Sequence, residues 1–203
     1  METKRANISN PSTQTLIDSS AGKPLAIAVD WISNLIFIAV HNQVRNSISV
    51  TDLEGEYFTT IVYGKNDLKG INSIAINPLK GRIFWPDGSS KSQFVIQTAA
   101  MDGSKRSVLT NNRDNRELDS PASLSYDLTS DRLYWTNLNT DKIQYYDFST
   151  KSVHTITFRD LKPTVITVYK NDILFAAEKQ DAILKGDKTV GGNYTFVRNN
   201  TGT

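Results

Sequence analysis

An all-β chain assembled from repeated four-stranded sheets is what these 203 residues predict. Three observations lead there. An aromatic residue recurs at Phe37, Phe84, Tyr134 and Phe175, at spacings of 47, 50 and 41 residues, each time inside an apolar run such as Ile83-Phe84-Trp85-Pro86-Asp87 or Leu133-Tyr134-Trp135-Thr136-Asn137. Within each unit apolar residues alternate with period two, as in Ser73-Ile74-Ala75-Ile76 and Thr164-Val165-Ile166-Thr167-Val168, and nowhere do they keep helical spacing for three turns. Turn-forming clusters separate these runs, at Pro78-Leu79-Lys80-Gly81, Asp87-Gly88-Ser89-Ser90 and Asp102-Gly103. A repeat of roughly 40–50 residues suits either a propeller blade or a helical pair, and the period of two selects the blade.

The elements follow in order. Residues 1–23 form a polar segment in which Gln14-Thr15-Leu16-Ile17-Asp18 reads as the outer strand of a preceding blade, with no partner upstream. Residues 24–70 form the first blade, opening with Ala26-Ile27-Ala28-Val29. The second, 71–120, divides into runs at Ser73 to Asn77, Arg82 to Trp85, Phe94 to Ala100 and Ser107 to Thr110. The third, 121–162, repeats that division at Ala122 to Tyr126, Arg132 to Thr136, Ile143 to Asp147 and His154 to Thr157. The fourth, 163–203, closes on Tyr194-Thr195-Phe196-Val197.

Blades pack face to face as wedges, so each sheet buries both sides. Large rings fill the widening gap, each covering about 150–250 Å². Phe37, Phe84, Trp85, Tyr134, Trp135 and Phe175 are therefore expected in the core. The acid or amide that closes the motif, Asp87, Asn137 or Glu178, is expected to end its strand by bonding backbone that the seam would otherwise strand.

These features together resemble the YWTD, or class B, repeats of the low-density lipoprotein receptor family, over roughly residues 24–203. Asp30, Asn77 and Asp127 lie seven residues before their aromatic partners, and Leu53-Glu54-Gly55 and Met101-Asp102-Gly103 match the family's Leu-Asp-Gly hairpin. The full Tyr-Trp-Thr-Asp string never occurs, the first copy ends in Val40, and the third hairpin reads Asp147-Phe148-Ser149-Thr150. The resemblance implies six blades of about 40–45 residues each. The expectation is an incomplete six-bladed ring, about four blades plus an orphan outer strand, belonging to a larger receptor-like protein.

Composition excludes several functions. With 38% hydrophobic and 22% charged residues the chain is neither disordered nor membrane-spanning, and a formal charge of +2 carries no signature of nucleic-acid binding. No membrane contact is expected of it. It has no cysteine, so disulfides, zinc clusters and thiol catalysis are excluded. Its two histidines, His41 and His154, occupy unlike repeat positions and suggest no metal or nucleophile-base pair, and neither a Gly-rich phosphate loop nor a nucleophile elbow occurs. No cofactor and no metal are expected.

What remains is binding through loops. The resemblance implies a non-enzymatic module that meets a protein ligand or neighbouring receptor modules in an extracellular or cell-surface ectodomain, its signal peptide lying outside this chain. Trp31, in the turn after Asp30, is the first contact candidate; Arg113 and Arg116, in the longest connection, are the others. Asn7, Asn193 and Asn199 head glycosylation triplets. The competing expectation is a lactonase-type propeller hydrolase, in which Asp30, Asn77 and Asp127, with Tyr169 at the fourth position, hold calcium at the central channel. The opposing reading is that the Asp and Asn simply bond the turns that follow them.

Overall fold

The computed structural model describes residues 3–6, 13–17, 19–42, 45–64, 68–90, 93–178 and 180–199. Among the described residues, eighteen strands account for nearly all regular structure. A hairpin comes first, β1 (Thr3–Ala6) with β2 (Thr13–Ile17). Four antiparallel four-stranded sheets follow, each in sequence order. The first comprises β3 (Lys23–Asp30), β4 (Leu35–His41), β5 (Asn46–Asp52) and β6 (Phe58–Tyr63). The second comprises β7 (Ala75–Asn77), β8 (Arg82–Ser90), β9 (Gln93–Ala100) and β10 (Ser107–Asn111). In the third are β11 (Pro121–Asp127), β12 (Arg132–Asn137), β13 (Lys142–Asp147) and β14 (Ser152–Thr157). The last contains β15 (Pro163–Tyr169), β16 (Asp172–Ala177), β17 (Gln180–Asp187) and β18 (Tyr194–Asn199).

The chain divides into two compact units, residues 1–89 with 97–107, and residues 90–96 with 108–203. In the first unit Phe37 and Ala39 of β4 join Ile83 and Trp85 of β8 in one apolar cluster. The alternate β4 residues, Ile36, Ile38 and Val40, pack with Leu16 of β2. Strand β4 is thus covered on both sides, as its unbroken apolar run requires. In the second unit Tyr134, Ile143 and Tyr145 pack with Ile166, Phe175 and Leu184. Between β11 and β15 the contact is polar as well: Ser123 Oγ accepts from Ile166 N at 3.1 Å and Ser125 Oγ from Val168 N at 3.0 Å. Small hydroxyl side chains there satisfy backbone donors that a packed sheet face would otherwise strand.

Three expectations change. The strand at Thr13–Ile17 is not an orphan, because Thr3–Ala6 pairs with it antiparallel and supplies its backbone partners. The turn expected at Asp87-Gly88-Ser89-Ser90 is strand, since β8 runs to Ser90. Its cause is the Asp87 carboxylate, which serves Leu68 N and Gln97 instead of the backbone two residues on. Glu178 does not bond backbone at a buried strand end; its side chain is 63% exposed and reaches Lys162 Nζ at 3.5 Å.

The hairpin glycines carry positive φ, 77° at Gly55 and 83° at Gly103. They also sit tight against preceding strands: a Cβ on Gly103 would fall 2.0 Å from Ile61 O, and one on Gly55 2.5 Å from Leu16 O. Shape and conformation both demand glycine at these tips. In the third hairpin the left-handed position is held by Lys151, with φ 55°.

Candidate binding surface

The two tryptophan-bearing motifs each build a buried polar cluster. In the second unit Trp135 and Asn137 of β12 are fully buried and converge on Gln144 of β13, which is 1% exposed. Gln144 Oε1 accepts from Trp135 Nε1 at 3.2 Å, Asn137 Nδ2 at 2.9 Å and Asn115 Nδ2 at 3.1 Å. Its Nε2 donates to Asn115 Oδ1 and Thr155 Oγ1. Asn137 Oδ1 accepts from Asp119 N, closing the long 111–120 connection onto the sheet. In the first unit Asp87 accepts the equivalent backbone bond from Leu68 N at 3.1 Å and a second from Gln97 Nε2 at 2.6 Å. Arg106 Nε donates to Gln97 Oε1, and the guanidinium lies 5.5 Å from the Trp85 ring centre.

The Asp and Asn residues considered as calcium ligands bond the turns that follow them. Asp30 Oδ1 accepts from Ile32 N and Ser33 N, Asn77 Oδ1 from Lys80 N, and Asp127 Oδ1 from Thr129 N and Ser130 N. The other oxygen of Asp127 receives Lys188 Nζ at 2.8 Å, and that ammonium also donates to Ser130 Oγ and Lys170 O. Burial alone would raise the Asp127 pKa; the bonds from Lys188 and Ser130, with the lysine charge, outweigh it and hold the carboxyl below its ordinary value. Tyr169 is 58% exposed. Among the described residues no three His, Cys, Asp or Glu side chains gather as a metal site. A carboxylate already neutralised by a lysine does not fit a resident divalent cation.

The three residues singled out for binding separate. Trp31 is 60% exposed in the turn after β3, beside Ile32 and at the end of an outward-facing stripe, Ile27 and Val29. Arg113 is exposed on the 111–120 connection. Arg116 borders an open groove of ≈ 610 Å³ in the second unit. Leu109, Tyr146 and Val153 supply its apolar walls; Gln144, Asn115 and Thr155 form a polar end, and Lys151 stands with Arg116 as a second exposed cation. Lys151 and Tyr146 escape sequence reasoning, because strand alternation alone does not say which face of β13 and β14 is open. Of the glycosylation triplets, Asn193 is exposed before β18, Asn199 ends β18, and Asn7 lies outside the described residues.

Four sheets of this kind, built in sequence order around buried ring motifs, match solved structures. A chain in the crystal structure of a nidogen/laminin complex superposes with a TM-score of 0.79 at 22% identity, over 92% of this chain and 67% of that one. The fold is a β-propeller. The likeness to class B repeats holds at that level. TolB from Acinetobacter baumannii matches with a TM-score of 0.76 at 15% identity, over 97% of this chain and 48% of its own. No family profile matches the chain. In sequence it is similar to protein cueball of Drosophila yakuba, 28% identical over 132 residues that make up 64% of this chain and 19% of cueball. The chain therefore spans about a fifth of the length of that curated relative.

Proposed function

We propose that this propeller is a non-enzymatic protein-interaction module of an extracellular or cell-surface protein. The observation that carries the reading is the division of labour in the polar groups. Acids and amides at repeat positions are bound internally, as at Asp127 and Gln144, while the exposed Trp31 and the Arg116 groove present unengaged recognition groups. Rigid sheets carrying open loops suit binding, and tryptophan and arginine dominate interface energetics. Similarity to a chain found in a nidogen/laminin complex supports the partner class, a protein. The exposed Asn193 triplet agrees with an extracellular address.

The test is an array of purified extracellular proteins probed with the immobilised chain, beside a lactone-hydrolysis assay with and without calcium. The expected result is saturable binding to at least one arrayed protein, weakened by Trp31→Ala or Arg116→Ala, with no calcium-dependent hydrolysis above buffer. An empty array, or calcium-dependent turnover, would sink the reading.

A further inference from the structure

The groove in the second unit specifies what it takes. Its polar end is saturated from within: Gln144 uses its carbonyl three times and its amide twice, and Glu117 is held by Lys142 through one oxygen and by Thr155 Oγ1 at 2.7 Å through the other. Asp114 Oδ2 accepts from Asn111 Nδ2 at 2.8 Å. The lysine beside Glu117 cancels its charge, and against the one remaining carboxylate, the exposed Asp114, the groove sets two cations. Among the described residues, no partner engages the Arg116 guanidinium, the Lys151 ammonium or the Tyr146 hydroxyl. All three can donate, two carry positive charge, and beside them run the apolar surfaces of Leu109, Tyr146 and Val153.

We infer that this groove binds a short acidic peptide segment in which carboxylates alternate with apolar side chains. The inference rests on the protein-interaction reading above. Carboxylates meet the two cations, and Arg116 offers a planar fork suited to a bidentate contact. An apolar neighbour covers the Leu109 and Val153 surface. A volume of ≈ 610 Å³ accommodates a few residues, within the roughly 300–1,000 Å³ usual for ligand clefts. Sulfated sugars or nucleic acid would use the cations but leave the apolar walls uncovered, so the walls decide for a peptide.

Fluorescence anisotropy with dye-labelled, capped hexapeptides tests it: alternating glutamate and valine, alternating lysine and valine, and glutamate alone. The glutamate-valine peptide is expected to bind, the lysine-valine peptide not to bind, and the all-glutamate peptide to bind several-fold more weakly. The Arg116→Ala/Lys151→Ala double variant should lose roughly tenfold or more in affinity. Both side chains are exposed, so an unchanged melting temperature shows that the variant still folds. Equal binding of the lysine-valine peptide, undiminished binding by the double variant, or binding of a heparin oligosaccharide but not of the glutamate-valine peptide overturns the assignment. Running the double variant on the protein array separates the two readings. A partner that binds wild type and double variant alike removes the groove and keeps the module, whereas an array without any partner removes the module itself.

Discussion

The residues that close the ring motifs of the second and third blades differ by one heavy atom, and their clusters end in different states. Where the third blade has Asn137, the second has Asp87, and a carboxylate cannot donate. Asn137 gives its amide hydrogen to Gln144 Oε1, which leaves that oxygen facing the donors and available to Trp135 as well. Asp87 instead draws the amide of Gln97 towards itself, so Gln97 Oε1 points away and is taken by Arg106. The consequence is visible in the leftovers: Trp85 Nε1 and Asp87 Oδ1 are buried without a hydrogen-bond partner, while Trp135 Nε1 is bonded. One exchange of nitrogen for oxygen reverses an amide and orphans an indole. The lesson is that a repeat preserves shape more faithfully than it preserves polarity.

The hardest blow to this contrast is Gln144→Leu. It strips an acceptor from three donors at once, and with each stranded buried group costing about 1–3 kcal/mol the loss is expected at about 3 kcal/mol or more in chemical denaturation. Gln97→Leu, which strands fewer groups, is expected to cost about half as much. If the two variants lose stability equally, the clusters are equivalent and the contrast fails. Next in size is Asn137→Asp, expected to destabilise by about 2 kcal/mol by adding an uncompensated buried charge, whereas Asp87→Asn, which lets Gln97 turn towards Trp85, should change stability by less than about 1 kcal/mol. A melting-temperature comparison decides it, and a symmetrical outcome would break the argument.

The blades also differ in their response to pH. Tyr134 stands where the second blade has Phe84, and burial pushes its hydroxyl up to about 12, against the opposing pull of Arg132. A folded pKa above the unfolded value of about 10 means that the unfolded chain ionises first. The Tyr134 contribution is therefore whole below about pH 10 and is lost as pH rises from there towards 12. Tyr134→Phe should flatten the alkaline limb of the stability profile, and an unchanged limb refutes the assignment. Acid acts in the opposite sense. Hydrogen bonds from Ser149, resisted by burial and aided by Arg132, hold Asp147 far below the usual carboxylate range; Asp127 is lowered as well. Their stabilisation is present above an ordinary carboxylate pKa of about 4 and disappears as pH falls below it. Smallest of all is a spectroscopic difference: the Trp135 indole hydrogen should exchange with deuterium more slowly than that of Trp85. NMR resolves the two, and the reverse order would count against the bonding scheme.

Most of the fold was legible because strands, turns and rings announce themselves locally. In the second and third blades period-two runs place every strand but β8 within one or two residues, and Gly55 and Gly103 mark hairpins whose tips allow no side chain. The buried positions of Phe37, Phe84, Trp85, Tyr134, Trp135 and Phe175 follow from the same pattern. What escaped depends on pairing across distance. Gln97 lies ten residues after Asp87, but Gln144 only seven after Asn137, because the intervening hairpins differ in length, so the recurring glutamine has no fixed offset to betray it. Lys188 reaches Asp127 across 61 residues, beyond any local signal. The groove was half visible: Arg116 stood out in the longest connection, whereas Arg113 in the same stretch does not line it, and Lys151 sits in a hairpin that gave no hint of facing it.

Lys188 has a chemical consequence of its own. Its amine is shielded, with side-chain exposure of 10%, and is tied to the turn after β11 and to the carbonyl of Lys170 before β16. Acylating reagents applied to the native protein should label its neighbours and pass this nitrogen by. Polypeptide acylated before refolding would have to bring its last sheet home without that clasp.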